Sequence, residues 1–345
     1  MTAAEFVEVL MKKLTLFIFI LALLMAMGAC GTEPASADVS ATPSATLKPN
    51  DDVEQSALPQ IGFSLAGEGA FYDQLKADIE AACASLNYEA NIVTADSGDK
   101  QKRDISSMLS AGAAVIVIDP VEVDALEAVL AECETDGVPV INIIDSINGL
   151  VSTLISPDYI EIGKSAGQRA VSLYGEQQGK CLELKTDYDS FIMQLMSDGF
   201  ISAIGEDSDV TLITEKYCGY DEEKAYEAVK NDLWLNDTNF IFAQSAELGR
   251  GAIRAIGESG KEVSLVVYGG DMDIIEAVSS GAVDMAMFID TAQIVQKAVA
   301  NADSFIKDAN HVPLQYEQLD ITTVTADNVS DYLSIENLYA KAPAQ

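Results

Sequence analysis

From Gln60 onward, short apolar runs alternate with longer amphipathic stretches, and this alternation constrains the fold more than any other feature. The run at 114–118 is apolar and β-branched and ends at Asp119-Pro120, which is typical of a strand buried on both faces. Parallel sheets covered by helices produce this pattern. The predicted strands are 61–65, 90–94, 114–118, 138–143, 180–185, 210–217, 239–243 and 265–268.

The alternation forms two series, and the second series begins at Gly179. A chain of 345 residues is expected to form two domains at about 150 residues each. Hydrophobic residues make up 49% of the chain, which is enough for a buried core in each domain. The predicted fold class is therefore α/β, with two doubly wound parallel-sheet lobes.

The charge of the chain excludes one class of partner. The sequence has 20 Lys and Arg against 55 Asp and Glu, which gives a net charge of -35. Binding to nucleic acid needs clustered basic residues, so no nucleic-acid partner is expected. His311 is the single histidine, and no complete calcium loop surrounds Asp271 and Asp273. No metal and no cofactor are therefore expected.

Residues 1–29 have the layout of an export signal. The basic pair Lys12-Lys13 precedes an apolar run at 14–27, which is shorter than the roughly 20 residues of a transmembrane helix. The four residues that end at Cys30 resemble the lipobox of bacterial lipoproteins, in which the cysteine is acylated. We therefore expect a lipid anchor on the extracytoplasmic face of the cell membrane. An ordinary cleaved signal with an incidental cysteine is the alternative.

Residues 30–59 are expected to hold the lipidated Cys30 and a disordered tether. Four of the nine prolines of the chain lie in this segment, among Ser, Thr, Ala and Asp residues. A segment of this composition cannot bury enough apolar surface to offset the entropy of ordering it. It is expected to act as a spacer between the membrane and a globular body.

Four cysteines follow Cys30, and an even number in an exported chain allows disulfides. Cys83 and Cys133, however, lie on helices that a doubly wound sheet places on opposite faces. Cys181 begins one predicted strand, whereas Cys218 ends its neighbour, which is too far for a disulfide. Four buried free thiols are expected.

Ligands of open α/β sheets bind at the carboxyl ends of the strands. Polar and aromatic residues in the strand-to-helix loops are therefore the candidates for a binding site. The candidate ligand-binding residues are Glu68, Phe71, Tyr72, Asp145, Asp187, Tyr188, Gln244, Asp271 and Asp290.

The order of several short motifs resembles the sugar-binding family of periplasmic substrate-binding proteins, of the ribose/galactose-binding type. The resemblance spans about residues 60–332 and is carried by the elements at 61–64, 71–76, 119–126, 137–141 and 158–163. It implies a type I periplasmic binding fold, a sugar held between two lobes, and the permease of an ABC importer as partner. It also implies a hinge of three crossings, near 155–158, 288–291 and 318–321.

The resemblance further implies the composition of each lobe and the roles of three residues. The N-terminal lobe would comprise 60–157 plus 291–319, and the C-terminal lobe 158–290 plus 320–345. Phe71 and Tyr72 would stack on the sugar, and Asp145 would accept hydrogen bonds from its hydroxyl groups.

The second lobe departs from the pattern of the family. Met196 stands where the family has an arginine, Ser245-Ala246 replace an Asn-Asp pair, and a glutamine falls on Ile289 or Asp290. A pocket rich in carboxylates and poor in basic residues would reject anionic ligands. A neutral sugar or polyol is therefore favoured, and a cationic or nucleoside-like ligand stays open.

Enzymatic activity is not expected. Tyr72 occupies the position of the third glycine of a dinucleotide-binding G-x-G-x-x-G motif, and no G-x-S-x-G motif is present. Paired carboxylates could serve a glycosidase, but a site that only binds a sugar needs them equally. The favoured function is the ligand-binding component of an ABC importer, acting as a monomer. The alternative is a tethered sensor that presents its ligand to a membrane receptor without transport.

Overall fold

The structure, a computed structural model, describes residues 58–147, 149–175, 177–186, 191–205 and 208–333. These residues belong to Ser56–Gln345, the second of the two units into which the chain divides. The predicted export signal, Cys30 and almost all of the predicted tether lie outside the described residues, as do Asp187 and Tyr188.

Strands and helices alternate along the described residues. The strands are β1 (Gln60–Leu65), β2 (Glu89–Thr94), β3 (Val115–Ile118), β4 (Val140–Ile143), β5 (Thr153–Pro157), β6 (Gly179–Lys185), β7 (Val210–Tyr217), β8 (Phe240–Ala243), β9 (Ser264–Tyr268), β10 (Met285–Ile289), β11 (Tyr316–Leu319) and β12 (Ile321–Thr325). The helices are α1 (Ala70–Ser85), α2 (Gly98–Ser110), α3 (Glu127–Asp136), α4 (Tyr159–Tyr174), α5 (Phe191–Ile204), α6 (Glu222–Leu235), α7 (Ala246–Ser259), α8 (Met272–Ser280), α9 (Thr291–Lys307) and α10 (Val329–Leu333).

The first lobe contains a parallel sheet in the order β2-β1-β3-β4-β5-β11. Its central strands β3 and β4 are buried along their whole length, as their runs of Val and Ile predict. One core cluster joins the sheet to α1 and α9, and a second cluster joins the opposite face to α2 and α3. The sheet is therefore covered by helices on both faces.

The second lobe repeats this arrangement. Its sheet has the order β7-β6-β8-β9-β10-β12, in which β12 runs antiparallel to β10 and the other pairs are parallel. One face packs against α4 and α5, and the other packs against α6, α7, α8 and α10. A Cβ atom on Gly163 of α4 would lie 1.8 Å from the carbonyl oxygen of Met196 on α5. This glycine is therefore required for the close approach of the two helices.

The chain passes between the two sheets three times. The first passage leads from Pro157 at the end of β5 into α4, which covers the second sheet. The second leads from Ile289 at the end of β10 into α9, which covers the first sheet. The third is Asp320, which joins β11 of the first sheet directly to β12 of the second.

The predicted fold class, two doubly wound α/β lobes, is confirmed. Each strand predicted from the apolar runs is present, with boundaries that shift by two residues at most. Cys83 and Cys133 belong to core clusters on opposite faces of the first sheet, as predicted. All four described cysteines are buried and free, which also agrees with the prediction.

Candidate functional site

A hydrogen bond between Tyr72 and Asp119 lies at the carboxyl ends of β1 and β3. The Tyr72 hydroxyl donates to Oδ2 of Asp119 at 2.8 Å, and the N–H of Ala66 points at the same oxygen at 3.4 Å. A Cβ atom on Gly67 would lie 2.0 Å from the Tyr72 ring, so the β1–α1 loop fits against the ring only because residue 67 is glycine. The hydroxyl and the loop together fix the orientation of the ring.

Asp119 is a carboxylate buried in the floor of this site. It is 2% exposed, and burial raises its pKa to about 7, although the hydrogen bonds from Tyr72 and Ala66 oppose this rise. The nearby Asp145 carboxylate raises the pKa of Asp119 further. A buried amide holds the loop, because Gln101 on α2 donates to the carbonyl of Asp119 at 2.7 Å and accepts from the N–H of Val121 at 2.9 Å.

Asp145 lies in the loop that follows β4, and its side chain is half-buried. The N–H of Ser146 donates to its Oδ1 at 2.7 Å, yet burial is the stronger influence and raises the pKa of Asp145. Asn142 holds this loop by donating to the carbonyl of Asp145 at 2.8 Å. Ile144, directly before Asp145, has a φ of 66°, which is strained for a β-branched residue.

Three tyrosines border the same carboxylates from the second lobe and from the first crossing between the lobes. Tyr159 begins α4, is buried, and packs edge-to-face against Tyr268 at the end of β9, with ring centroids 6.4 Å apart. Tyr220 follows β7 and is 66% exposed. Desolvation raises the pKa of its hydroxyl, a hydrogen bond with Thr186 opposes this rise, and the charges of Glu247, Asp145 and Asp119 add to it.

Phe71 joins the two lobes at this site. It packs edge-to-face against Tyr72, with ring centroids 5.1 Å apart. Its side chain also packs against the core cluster of the second lobe that includes Phe288, as well as the cluster of the first lobe that contains Ile61. The first turn of α1 therefore contacts both lobes, so its position depends on the angle between them.

A cavity of about 260 Å³ opens beside the first crossing and has walls from both lobes. Asp145 and Tyr159 line it together with Ser156 and the apolar side chains of Phe191 and Leu195. Its volume lies just below the range of about 300–1,000 Å³ that is common for sites of drug-sized ligands. Of the side chains described above, Asp145 and Tyr159 line this cavity, whereas Phe71, Tyr72 and Asp119 do not.

Gln244 does not reach this cleft, contrary to its predicted role as a ligand contact. It is 1% exposed, and its amide donates to Glu183 on β6 at 2.7 Å and to Ser197 on α5 at 3.2 Å. Ser197 also donates to Glu183, at 2.9 Å. Burial raises the pKa of Glu183 to about 7 despite these bonds and the nearby Lys185. Gln244 therefore ties β8 to β6 and α5.

The carboxylate of Asp271, a predicted ligand contact, is instead paired with Arg250. Arg250 on α7 forms an ion pair with Asp271 and donates from Nε to Asp273 at 2.6 Å. The three side chains join the start of α8 to α7. The carboxylate of Asp271 thus serves the packing of the second lobe.

Asp290 and Glu68 are exposed side chains. Asp290 is exposed at the second crossing and caps α9, since its Oδ1 accepts from the N–H of Ala292 at 2.9 Å. Glu68 is exposed in the loop between β1 and α1. Of the seven predicted residues that the structure describes, it brings together Phe71, Tyr72 and Asp145.

The nine candidate residues do not include Asp119, although it directly follows a predicted strand, nor Tyr159, Tyr220 and Tyr268. Asp119 and Tyr268 stand at the ends of predicted strands, and Tyr220 follows one by three residues. The rule that ligands bind at the carboxyl ends of strands points to all three. Tyr159 is placed by the first crossing, which the sequence pattern alone does not reveal.

Within the described ranges, no group of three or more His, Cys, Asp or Glu residues is arranged to hold a metal ion. None of the helices in the described part of the chain is long and apolar enough to cross a membrane.

Comparison with known proteins places this geometry in a family. A family model described as a periplasmic binding protein domain matches residues 61–310. The ribose import binding protein RbsB of Bacillus subtilis is 25% identical over 272 residues, which cover 78% of this chain and 85% of the relative. RbsB of Haemophilus influenzae is 25% identical over 261 residues, with 74% and 89% covered.

A solved structure supports the same fold. The crystal structure of a galactofuranose binding protein matches with a TM-score of 0.73 at 20% identity and covers 81% of this chain and 98% of that one. The family model spans well over half of the sequence and includes the strands from β1 to β10, which form most of both sheets. The chain therefore belongs to the periplasmic binding protein family.

Proposed function

We propose that this protein is the extracytoplasmic, lipid-anchored ligand-binding component of an ABC importer and that it binds a sugar or a related small polar ligand between its lobes. The observation that carries the proposal is the cluster of Phe71, Tyr72 and Asp145 at the strand ends, with Tyr159 and Tyr220 beside it. Aromatic rings and hydrogen-bond acceptors are the two groups that a sugar site needs.

The names of the relatives support the class of ligand. Two curated relatives are ribose import binding proteins, and the compared solved structure is a galactofuranose binding protein. Membership of the family supports an extracytoplasmic location and binding without chemical turnover. We therefore propose a monosaccharide or a polyol, imported without being modified by this chain.

The proposed contacts follow from the geometry of the site. Phe71 and Tyr72 stack on the apolar face of the ligand, and Asp145 accepts hydrogen bonds from its hydroxyl groups. Tyr220 would approach from the second lobe. Asp187 and Tyr188 stay proposed contacts on the grounds of their position after β6, whereas Gln244 and Asp271 are proposed to position the second lobe.

Closure of the two lobes is the proposed mechanism. The three passages of the chain, at 157–158, 289–291 and 319–321, would form the hinge between lobes 60–157 plus 291–319 and 158–290 plus 320–345. Because Phe71 contacts both lobes, a ligand that packs on its ring would favour the closed state by binding it more tightly than the open state. The closed state would then dock on the permease as a monomer.

A ligand screen by thermal shift tests the proposed site. We expect a sugar or polyol to raise the melting temperature of the wild type, and Tyr72→Ala and Asp145→Ala each to abolish this rise. Asp136→Ala is the matched control. Asp136 ends α3 just before the start of β4, so it lies toward the amino ends of the strands, away from the site at their carboxyl ends. Retained ligand protection in both site variants would show that the ligand binds elsewhere.

The lipid anchor needs one test, and the choice between transport and sensing needs another. We expect Cys30→Ser to release the protein from the membrane and to block labelling by radioactive palmitate. Uptake of the ligand should be lost when the gene is deleted. Retained uptake, together with a lost cellular response to the ligand, would favour the alternative, a tethered sensor without transport.

A further inference from the structure

The cleft between the lobes contains two carboxylates that have no basic partner. The influences on the pKa of Asp119 come from burial, Tyr72, the N–H of Ala66 and Asp145. Those on Asp145 come from burial and the N–H of Ser146. Among the described residues, no lysine or arginine forms an ion pair with either carboxylate, whose hydrogen-bond donors are Tyr72, Ala66 and Ser146. The site thus carries negative charge that the protein itself does not balance.

Two partly or fully buried basic groups of the second lobe are committed to other carboxylates. Arg250 binds Asp271 and Asp273, and Lys185 donates to Glu215 at 3.0 Å while lying over the ring of Tyr217. Met196 is fully buried in the core of the second lobe, where an arginine would stand in the pattern of the family. None of these groups can balance Asp145 without breaking an existing contact.

Aromatic rings surround the same two carboxylates. Tyr72 bonds to Asp119, Tyr159 approaches the carbonyl of Ile144 beside Asp145, and Tyr268 packs on Tyr159. Ring faces attract cations through their quadrupole, by about 0.5–2 kcal/mol for each favourable contact. A neutral sugar gains stacking and hydroxyl hydrogen bonds at such a site, whereas a cation gains in addition from direct charge attraction to the carboxylates and to the ring faces.

We infer that the ligand is a sugar or polyol that carries a protonated amine, which donates to Asp145 and lies in the field of Asp119 behind the ring of Tyr72. The inference rests on the proposed function and narrows it, since it replaces the neutral ligand that the sequence favours. Asp145 is the direct partner because it is half-buried and lines the cavity. Asp119 is buried and acts through its charge.

Closure of the lobes would exclude water from the two carboxylates. Removing a carboxylate from water is costly unless an opposite charge or hydrogen bonds compensate for the loss of hydration. Burial already raises the pKa of Asp119 to about 7. An ammonium group within the cleft favours the ionised form of both carboxylates, and its attraction to them strengthens as water leaves.

Matched pairs of probes test the inference by calorimetric titration at pH 7. The pairs are D-glucosamine with D-glucose, D-galactosamine with D-galactose, and D-glucamine with D-glucitol; N-acetyl-D-glucosamine is a neutral control of larger size. We expect the amine of at least one pair to bind at least about tenfold more tightly than its neutral partner. In Asp145→Asn this preference should disappear, and in Asp119→Asn it should fall several-fold.

Asp271→Asn is the matched control, because the carboxylate that it removes is paired with Arg250. This variant should keep the full preference for the amine. The ratio of two affinities in one variant does not respond to a general loss of stability, and circular dichroism verifies that each variant is folded.

Three other outcomes are possible, and each rejects a different claim. Equal or tighter binding of the neutral partners overturns the inference and leaves the sugar-binding function intact. A preference for the amine that survives in both Asn variants overturns the assignment of Asp145 and Asp119. If neither kind of probe binds at millimolar concentration, both the inference and the proposed binding function fail.

Discussion

Asp119 in the first lobe and Asp271 in the second lobe both stand at the carboxyl end of a sheet, yet their surroundings differ. Asp119 accepts one hydrogen bond from Tyr72 and has Asp145 as its charged neighbour. Asp271 forms an ion pair with Arg250, which also holds Asp273. The first lobe leaves its negative charge unbalanced, whereas the second lobe uses its charges to join its own helices.

This difference separates carboxylates that can bind a ligand from carboxylates that hold the fold together. The loops of the first lobe are held by neutral amides, Gln101 and Asn142, which bind backbone groups and leave the carboxylates available. In the second lobe, the side-chain amide of Gln244 donates to Glu183. This amide at the end of a strand therefore holds the lobe together and does not face a ligand. A carboxylate at a strand end is therefore a candidate for ligand binding only when the fold does not already neutralise it.

The largest expected effect is the dependence of stability on pH that Asp119 imposes. Its pKa rises from an ordinary value of 3.8 to about 7 in the folded state, so between these pH values the folded chain holds a proton that the unfolded chain has lost. The contribution of Asp119 to stability is therefore full below about pH 4 and declines until about pH 7. A rise of this size corresponds to about 4 kcal/mol of unfolding free energy.

We expect Asp119→Asn to flatten this decline, as measured by urea unfolding at pH 4.5, 6 and 8. Glu183, whose pKa burial also raises to about 7, should contribute a similar decline, so Asp119→Asn combined with Glu183→Gln should be flatter still. Asp273→Asn should lower stability and leave the slope between pH 4.5 and 8 nearly unchanged. Although burial opposes them, the bonds to Arg250 lower the pKa of Asp273, so its contribution to stability is already nearly complete at pH 4.5. An identical slope in the wild type and Asp119→Asn would show that Asp119 is solvated in the folded protein.

Removal of the guanidinium from the second lobe should have the next largest effect. We expect Arg250→Met to lower the unfolding free energy by about 1–2 kcal/mol, because the paired carboxylates lose their partner while the partly exposed site moderates the loss. Arg250→Lys keeps the charge and should recover part of the stability. Lys164→Met, which removes an exposed ion pair with Glu161, should change stability little.

An unaffected stability in Arg250→Met would indicate that α7 and α8 are held by their apolar contacts alone. The same variant should keep the affinity for a ligand within about threefold, because Arg250 does not face the unbalanced carboxylates. A large loss of affinity would place Arg250 in the recognition site and remove the distinction between the lobes.

Tyr72→Phe separates the hydroxyl from the ring in the first lobe. Loss of the hydrogen bond to the buried Asp119 should lower stability by about 1–2 kcal/mol at pH 8, where Asp119 is ionised, and by less at pH 5. Ligand affinity should fall less than in Tyr72→Ala, because the ring still stacks. Equal losses of affinity in the two variants would assign recognition to the hydroxyl.

The apolar periodicity predicts most of the fold, because buried parallel strands must be apolar along their whole length. The strands that contain Val117 and Ile141 were found in this way, and Cys83 and Cys133 fell on opposite faces because the order of strands follows from the doubly wound pattern. Strand boundaries shifted by two residues at most, since the ends of strands carry loop residues of no fixed polarity.

The site was predicted less completely, because the strand-end rule selects positions and does not reveal partners. It selected Phe71, Tyr72 and Asp145, which the structure brings together. It equally selected Gln244 and Asp271, whose partners Glu183 and Arg250 come from distant parts of the chain. Side-chain packing between helices decides which carboxylate pairs with a basic group. A local sequence motif does not show this pairing.

Substitution of Asp290 is expected to change stability least. It also tests whether this carboxylate caps a helix or contacts the ligand. It caps α9 at the second passage between the lobes, much as Asp158 caps α4 at the first. Loss of an N-terminal cap costs about 1 kcal/mol, so Asp290→Ala and Asp158→Ala should each lower stability by about that amount. Neither should remove ligand binding, because neither carboxylate belongs to the unbalanced pair. Thermal unfolding and calorimetric titration of the two variants, beside Asp145→Ala, measure both quantities. If Asp290→Ala abolished binding while Asp158→Ala preserved it, Asp290 would contact the ligand, and the second lobe would contribute charge to recognition after all.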